Sequence, residues 1–161
     1  MEEWALAQGE KAMATTIRKL EPRDEARWRE LWEGYRTFYE QPPNEAVTRH
    51  TWQRLLDPGA PVHCAVAEVP GSGVVGIAHY IPHESTATLT PICVLQDLFV
   101  DPKSRSHGVG ASLIEWLMGE AKAQGWARVY WHTRENNYRA RGLYDKYATS
   151  GFLRYVADFT P

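Results

Sequence analysis

The stretch from Ser104 to Ala111, SRSHGVGA, stands between the apolar run VLQDLFV (94–100) and the helical pattern SLIEWLMGEAKAQG (112–125). Gly108 and Gly110 let the backbone approach a ligand closely, because glycine has no Cβ. Backbone N–H groups at a helix start, with the charge of Arg105 beside them, suit a pyrophosphate. The alternative interpretation is a tight strand-to-helix turn that binds nothing.

Two common phosphate-binding sequences do not fit this stretch. A P-loop needs Gly-x4-Gly-Lys followed by Ser or Thr, and the lysine is absent. A dinucleotide-binding turn needs Gly-x-Gly-x-x-Gly, and Leu113 stands where the third glycine would be. The stretch therefore belongs to neither class.

Composition sets the outer limits. A chain of 161 residues predicts one domain, which we place at residues 15–161 after an N-terminal extension of residues 1–14. A net charge of −2 gives no general reason to expect nucleic acid as a partner. We expect no signal peptide and no membrane span, because no long apolar run occurs. Cys64 and Cys93 lie in apolar runs, which predicts buried free thiols in a reducing cytoplasm.

Hydrophobic periodicity predicts a mixed α/β fold, with a central sheet of six or seven strands flanked by about four helices. The strand-like runs are TIRKL (16–20), PVHCAVAEV (61–69), VVGIAHYI (74–81), ICVLQDLFV (92–100), ARVYWHT (127–133) and FLRYVADF (152–159). The helical segments are 22–40, 45–57, 108–124 and 137–148. In the third of these, the inner stripe is Val109, Leu113, Ile114, Leu117 and Ala121.

A second motif, further along the chain, favours the ligand-binding interpretation of the first. RSHGVG (105–110) is followed by a strand and then by NYRARGLY (137–144). This order, Arg-x-x-Gly-x-Gly, strand, Asn-x-x-Ala-x-x-Leu-Tyr, resembles the GNAT acetyltransferase superfamily from about Thr15 to the end of the chain. VLQDLFVDPKSRSHGVG is similar to the subgroup of polyamine, D-amino-acid and histone-type acetyltransferases. The resemblance implies the GNAT fold and an N-acetyltransferase.

The resemblance also implies acetyl-CoA as co-substrate, without a metal. The implied cofactor contacts are Leu98, Phe99, Val100, Arg105, Ser106, His107, Gly108, Val109, Gly110, Ala111, Asn137, Ala140, Tyr144 and Lys146. Tyr144 would protonate the leaving thiolate, with Tyr147 as its rival. Asn137 has an alternative role as a helix N-cap.

Acetyl transfer to an amine needs a neutral nucleophile, so a base or a desolvating pocket is required. Asp97 is the acidic residue nearest the centre of the cofactor strand, and we expect it to be the base. The alternative is a structural carboxylate paired inside the fold. Polyamine acetyltransferases carry a glutamate where this chain has Gln96, which weakens a polyamine assignment.

The acceptor is expected to be a small-molecule amine, such as an amino acid or a polyamine, or a lysine side chain. Its site is predicted between the first two helices and the cofactor strand, where aromatic walls and an acidic group would suit a cation. The candidate acceptor residues are Tyr35, Tyr39, Glu40, His79, Gln96, Asp97 and His132. For the tyrosines, simple packing of an amphipathic helix is the alternative.

Two functions of different classes remain. One is the acetyl-CoA-dependent N-acetyltransferase, and the other is a non-catalytic acyl-CoA-binding or regulatory module with the same fold. An intact Tyr144 and Asn137 favour the enzyme. The seven tryptophans and eight tyrosines are more than one core readily hides, which predicts a homodimer, with FLRYVADF as the pairing edge.

Overall fold

A computed structural model describes residues 15–160, and its sheet has five strands in the order β1-β2-β3-β4-β5. The strands are β1 (Thr16–Lys19), β2 (His63–Val69), β3 (Gly73–His83), β4 (Ile92–Val100) and β5 (Val129–Trp131). The three pairings from β1 to β4 are antiparallel. The predicted N-terminal extension, residues 1–14, lies outside the described residues.

Within these residues there are four α-helices: α1 (Glu25–Phe38), α2 (Glu45–Leu56), α3 (Val109–Gln124) and α4 (Tyr138–Tyr144). The side chain of Asn44 caps α2 by accepting a hydrogen bond from the Val47 N–H at 3.1 Å. Gly125, at φ 72°, ends α3 in the left-handed conformation that glycine adopts without strain. The predicted α/β fold class is confirmed. None of the described helices has the length and apolar character needed to cross a membrane.

The chain divides into two compact units between Tyr130 and Trp131. The first unit contains β1 to β4 and α1 to α3, and the second contains α4 and the C-terminal segment. The hydrophobic core described below belongs to the first unit.

The predicted strand FLRYVADF does not form, so the described sheet has five strands rather than six or seven. Residues 148–160 have no regular secondary structure and are exposed. Alternating apolar residues predict which side chains could share one face of a strand. A strand also needs a hydrogen-bonding neighbour, which a local pattern cannot identify.

α3 packs on one face of the sheet through the stripe that its sequence predicts. All five members are buried: Val109, Leu113, Ile114, Leu117 and Ala121. Gly76 of β3 permits the close approach, because a Cβ there would lie 3.2 Å from side-chain atoms of both Leu113 and Val109.

α1 packs on the opposite face, because successive side chains of a strand point to opposite sides. Ile77, next to Gly76, pairs with Phe99 across β3 and β4. A Cβ at Gly34 of α1 would lie 2.8 Å from the Phe99 ring, so this helix sits directly against β4. The buried cluster on this face comprises Trp28, Leu31, Trp32, Trp52, Cys64, Val66, Val74, Ile77 and Phe99.

The prediction of two buried free cysteines is confirmed for Cys64 and Cys93. Burial raises the pKa of both thiols, that of Cys93 to about 12. Neither is therefore a thiolate near neutral pH, and neither suits the role of a nucleophile.

A buried ion pair joins β1 to the turn before α1. Asp24 is 6% exposed, and its carboxylate accepts two hydrogen bonds from the Arg18 guanidinium, at 2.8 and 2.9 Å. Arg18 also donates to Glu68 of β2 at 2.9 Å. The hydrogen bonds from Arg18, with a further one from the Glu21 N–H, hold the pKa of Asp24 below its ordinary value. The pair therefore links β1, β2 and the start of α1.

We predict that Asp24→Asn lowers the free energy of unfolding by about 2 kcal/mol at neutral pH, because hydrogen bonds to charged groups contribute about that much. Folding lowers the pKa of Asp24, so its contribution is fully present above the unfolded-state pKa of about 4. The contribution disappears as pH falls through the lower folded-state pKa. The difference between wild type and variant should therefore shrink in acid, as measured by urea unfolding with tryptophan fluorescence.

Glu45→Gln is the matched control for this prediction, because Glu45 is an exposed carboxylate that also accepts from an arginine, Arg29, at 3.1 Å. Exposed pairs contribute little, so the free energy of unfolding should hardly change. Equal losses in the two variants would contradict the importance of the buried pair.

Candidate active site

The turn between β4 and α3 holds two residues in the left-handed region, Ser106 at φ 67° and Gly108 at φ 77°. α3 begins at the next residue without a side-chain cap. Among the described residues, no hydrogen bond satisfies the backbone N–H groups of Gly108, Val109, Gly110 or Ala111. These donors lie at the positive end of a 16-residue helix, which is the arrangement that binds anions.

Arg27 of α1 and Asp101 hold the start of this turn. The two side chains form an ion pair, and the Arg27 Nε–H donates to the carbonyl of Val74 at 2.8 Å. Asp101 also accepts from the N–H of Lys103 at 3.0 Å. The hydrogen bonds from Lys103 and Arg27 hold the pKa of Asp101 below its ordinary value. The turn is thereby tied to α1 and β3.

Arg105 lies against the end of β4. Its Nε–H donates to the carbonyl of Val100 at 3.0 Å, and its guanidinium lies over the Phe99 ring, 5.3 Å from the centroid. A cavity of about 420 Å³ opens between α1 and this end of β4, with Arg105, Arg27 and Glu30 in its wall. A ligand held at the start of α3 would therefore have a cavity with charges of both signs beside it.

β4 has a bulge at its centre. His79 pairs with Asp97, but the next residue of β3, Tyr80, pairs with Leu95, so Gln96 is an extra residue in β4. Gln96 is exposed although both its neighbours are buried. Bulges re-aim side chains next to binding sites, and here the bulge turns Gln96 outward.

β5 covers a small part of the second edge of β4. β5 has three residues and β4 has nine. Three strand residues span only about 10 Å. The Cys93 N–H donates to the carbonyl of Arg128 at 2.8 Å, so the contact lies at the beginning of β4. The predicted cofactor residues Leu98, Phe99 and Val100 lie at its other end, where β5 does not reach.

Asp97 and His79 face each other between β4 and β3. Nδ1 of His79 lies 2.9 Å from Oδ2 of Asp97, and Nε1 of Trp28 donates to Nε2 of His79 at 2.9 Å. Asp97 is 9% exposed and His79 is 2% exposed. Both ring nitrogens of this candidate acceptor residue are thus engaged inside the fold.

Aromatic side chains gather at the C-terminal end of α1, which both the acceptor hypothesis and simple helix packing predict. The rings of Tyr35 and Tyr39 are 4.8 Å apart, and Tyr35 stacks on Trp32 at 5.5 Å. Glu40 follows the helix with φ 56° and is exposed. The acidic residue therefore follows the aromatic cluster directly along the chain.

In the second unit, Asn137 caps α4. Its Oδ1 accepts from the N–H of Ala140 at 3.4 Å, and its Nδ2 donates to Thr133 at 3.1 Å. The Asn-x-x-Ala spacing of the second motif is therefore the spacing of a helix cap. Tyr144 is the last residue of α4, half-buried, with its ring 5.6 Å from that of Trp131.

The other candidates of this unit lie outside the helix. Tyr147 follows the end of α4, and its N–H donates to the Tyr144 carbonyl at 2.9 Å. His132, just after β5, and Lys146 are both exposed.

The sequence model of the acetyltransferase (GNAT) family matches residues 26–148. The chain belongs to the GNAT acetyltransferase family. The matched range contains both RSHGVG and NYRARGLY, so the resemblance carried by those motifs is confirmed.

Two relatives support an enzyme of the GNAT family. The D-amino-acid N-acetyltransferase HPA3 of Saccharomyces cerevisiae is 36% identical over 135 residues, covering 82% of this chain and 83% of the yeast protein. An uncharacterized N-acetyltransferase of Bacillus subtilis, YhfO, is 28% identical over 142 residues, covering 86% of this chain and 94% of that protein. The protein is thus an N-acetyltransferase, which confirms the predicted acyltransferase class.

Solved structures confirm the GNAT fold. A ribosomal-protein-alanine N-acetyltransferase of Brucella melitensis biovar Abortus 2308 has a TM-score of 0.77 at 21% identity, covering 91% of this chain and 100% of that chain. A probable acetyltransferase has a TM-score of 0.80 at 18% identity, covering 91% and 99%. Likeness at these identities shows the fold alone.

Two side-chain contacts of this GNAT enzyme could not be predicted from the sequence. Trp28, the partner of His79, lies 51 positions before it, and Arg27, the partner of Asp101, lies 74 positions before it. No spacing rule links residues so far apart. The one local signal was the indole N–H of a tryptophan on an inward-facing stripe, because a buried indole N–H usually has an acceptor.

Proposed function

We propose that this enzyme transfers an acetyl group from acetyl-CoA to the primary amine of a small molecule, such as an amino acid or a polyamine, or to a lysine side chain. The observation that carries the proposal is the row of unsatisfied N–H groups at the start of α3. These donors, from Gly108 to Ala111, stand in a chain that belongs to an acetyltransferase family.

The donor fits this turn chemically. A pyrophosphate needs several converging N–H donors and positive charge. The backbone of residues 106–111 and the start of α3 supply the donors, and Arg105 lies beside them. When bound, acetyl-CoA supplies an activated thioester. The backbone at the uncovered end of β4, Leu98 to Val100, would hold the pantetheine arm, with Asn137, Ala140 and Lys146 as further contacts.

The acceptor side rests on the aromatic end of α1 and on β4. Tyr35, Tyr39 and Glu40 would receive the cationic amine, and Gln96 and Asp97 would border it. The yeast relative is a D-amino-acid N-acetyltransferase, which favours amino acids among the candidate acceptors. His132 is a further acceptor contact of the proposal.

Asp97 would act as the base, and Tyr144 would give a proton to the leaving thiolate. Tyr144 is half-buried at the end of α4, where its ring packs on Trp131. A hydroxyl in such a position can donate a proton without exposing the whole side chain to water.

The function is tested by the release of free thiol from acetyl-CoA with a panel of D- and L-amino acids, polyamines, aminoglycosides and lysine peptides. We expect acetylation of at least one class, identified by mass spectrometry of the product. An absence of transfer to every class would contradict the proposal.

We predict that Gly110→Asp abolishes acetyl-CoA binding, because a carboxylate in the first turn of α3 would repel the pyrophosphate. Isothermal calorimetry measures the affinity. Gly119→Asp adds the same charge on an exposed part of the same helix, where a Cβ meets nothing within 4 Å, and should bind normally. Unchanged affinity in the first variant would move the donor site elsewhere.

We predict that Tyr144→Phe lowers kcat about a hundredfold or more, the usual loss for a positioned general acid. Affinity for acetyl-CoA should stay nearly unchanged, because the ring remains. Tyr147→Phe is the matched control and should retain activity. Loss of activity in the control alone would transfer the role to Tyr147, and full activity in both would remove the general acid from the mechanism.

We also propose a homodimer that uses the C-terminal segment. Its large apolar side chains are largely exposed: Phe152, Leu153, Tyr155, Val156 and Phe159. Apolar area of this kind is characteristic of interaction surfaces. Light scattering should give twice the 18.4 kDa of one chain, and substituting Phe152 and Tyr155 with serine should reduce it. A monomer at micromolar concentration would contradict this assembly.

A further inference from the structure

Three polar side chains form a continuous hydrogen-bonded chain inside the first unit. The Trp28 Nε1–H donates to Nε2 of His79 at 2.9 Å, and Nδ1 of His79 lies 2.9 Å from Oδ2 of Asp97. Trp28 is fully buried, and His79 is 2% exposed. These hydrogen bonds thus connect the buried face of α1 to the centre of β4.

Trp28 fixes the protonation state of His79. An indole nitrogen can only donate, so Nε2 of His79 must accept and carries no proton. The neutral ring therefore keeps its proton on Nδ1 and donates it to Asp97. A doubly protonated ring would set two N–H groups against each other, and the other tautomer would set a lone pair against the carboxylate.

Around His79 the packed elements present mainly neutral groups, and a further charge nearby is Arg36 of α1, whose guanidinium lies over the Trp32 ring, 5.6 Å from its centroid. α1 presents the indoles of Trp28 and Trp32, the latter 5.2 Å away in ring contact. β2 places Cys64 opposite His79, and burial raises the pKa of that thiol, which keeps it neutral. Asp97 of β4 is the charged group that the His79 ring contacts directly, at 2.9 Å.

Asp97 is left with one oxygen in use. Oδ2 meets His79, whereas Oδ1 has no hydrogen-bond partner among the described residues and is not sealed from solvent. No arginine or lysine of the described part of the chain forms an ion pair with Asp97. A nearly buried carboxylate without a cation is costly in a purely structural role. It suits a site where a cationic ligand arrives.

We propose that Trp28 and His79 are positioning residues that hold the Asp97 carboxylate with Oδ1 directed to the acceptor ammonium. The inference rests on the proposed function. Oδ1 takes one proton from the ammonium, which frees the nitrogen lone pair. The C–N bond then forms as the thioester C–S bond breaks. The nitrogen loses its second proton, the thiolate gains one, and one proton is released to solvent overall.

A structural role and a positioning role make different predictions. If the three residues only stabilise the core, their loss lowers stability and the amount of folded enzyme, but the pH profile of the remaining enzyme stays unchanged. If they position the base, removing the Trp28 N–H frees Nε2 of His79 to take a proton. The imidazolium would then pair with Asp97 and weaken it as a base in acid.

The first experiment is NMR of the full chain labelled with ¹⁵N-histidine. We expect His79 to carry its proton on Nδ1 and a lone pair on Nε2 at neutral pH, because Nε2 accepts from the Trp28 N–H. In Trp28→Phe the signal of Nε2 should move, because this nitrogen loses its hydrogen-bond donor. A proton on Nε2, or a charged ring in the wild type at neutral pH, would overturn the proposal whatever the activity.

The second experiment is the pH dependence of kcat and kcat/KM with an acceptor found in the amine panel. Trp28→Phe should change the pH profile, because Nε2 of His79 loses its donor and the partner of Asp97 is no longer fixed in one tautomer, with unchanged acetyl-CoA affinity. Trp52→Phe is the matched control, because Trp52 is buried in the same cluster with its ring 5.2 Å from that of Trp28. It should keep the wild-type profile. The same profile in both variants would overturn the positioning role.

Asp97→Asn keeps the shape of the side chain but cannot take the proton, and kcat should fall about a hundredfold or more. Circular dichroism checks that the variant is folded. If Asp97→Asn does not fold, the NMR experiment on the wild type and Trp28→Phe still tests the proposal. Full activity in folded Asp97→Asn would overturn the inference and leave the acetyltransferase function intact. An inactive wild-type enzyme would instead overturn the proposed function.

Discussion

The antiparallel pairing of β3 with β4 determines where the polar groups at the centre of the first unit's sheet lie. It places His79 opposite Asp97 and Ile77 opposite Phe99 on the α1 face. The side-chain period of a strand is two, so a slip of one residue would send Asp97 to the α3 face. The bulge at Gln96 confines the change of register to one position, so one exposed polar residue interrupts an otherwise buried strand.

The two buried carboxylates of the described first unit, Asp24 and Asp97, are matched in different ways. Asp24 meets a cation, Arg18, through two hydrogen bonds, and this lowers its pKa and links three elements. Asp97 meets the imidazole of His79 through a single contact at 2.9 Å. The first arrangement satisfies the carboxylate and serves the fold. The second leaves one oxygen available, which is the chemical difference between a structural carboxylate and a candidate base.

The parts that sequence could predict are those whose cause lies within a few residues. The stripe from Val109 to Ala121 follows from helix periodicity, and Gly108 at the start of α3 follows from the need for a positive φ. The pairing of Trp28 with His79 depends on how a helix packs on a sheet, so no local pattern contains it. FLRYVADF is a predicted strand that does not form. Its apolar residues alternate as in a strand, but within the described residues it has no neighbouring strand to pair with.

The proposed donor and acceptor sites differ in the same way, because local sequence specifies the first but not the second. A pyrophosphate site is made mainly of backbone donors, so a short glycine-containing turn specifies it and can be read directly. An acceptor site is made of side chains from distant segments, and here they converge through α1. Arg27 anchors the turn, the adjacent Trp28 fixes His79, and Tyr35 begins the aromatic wall two turns later. Gly34 lets α1 lie close to Phe99, so one missing Cβ affects the positions of both Arg27, which anchors the turn, and Trp28, which contacts His79. The packing of a single helix therefore couples the proposed donor and acceptor sites.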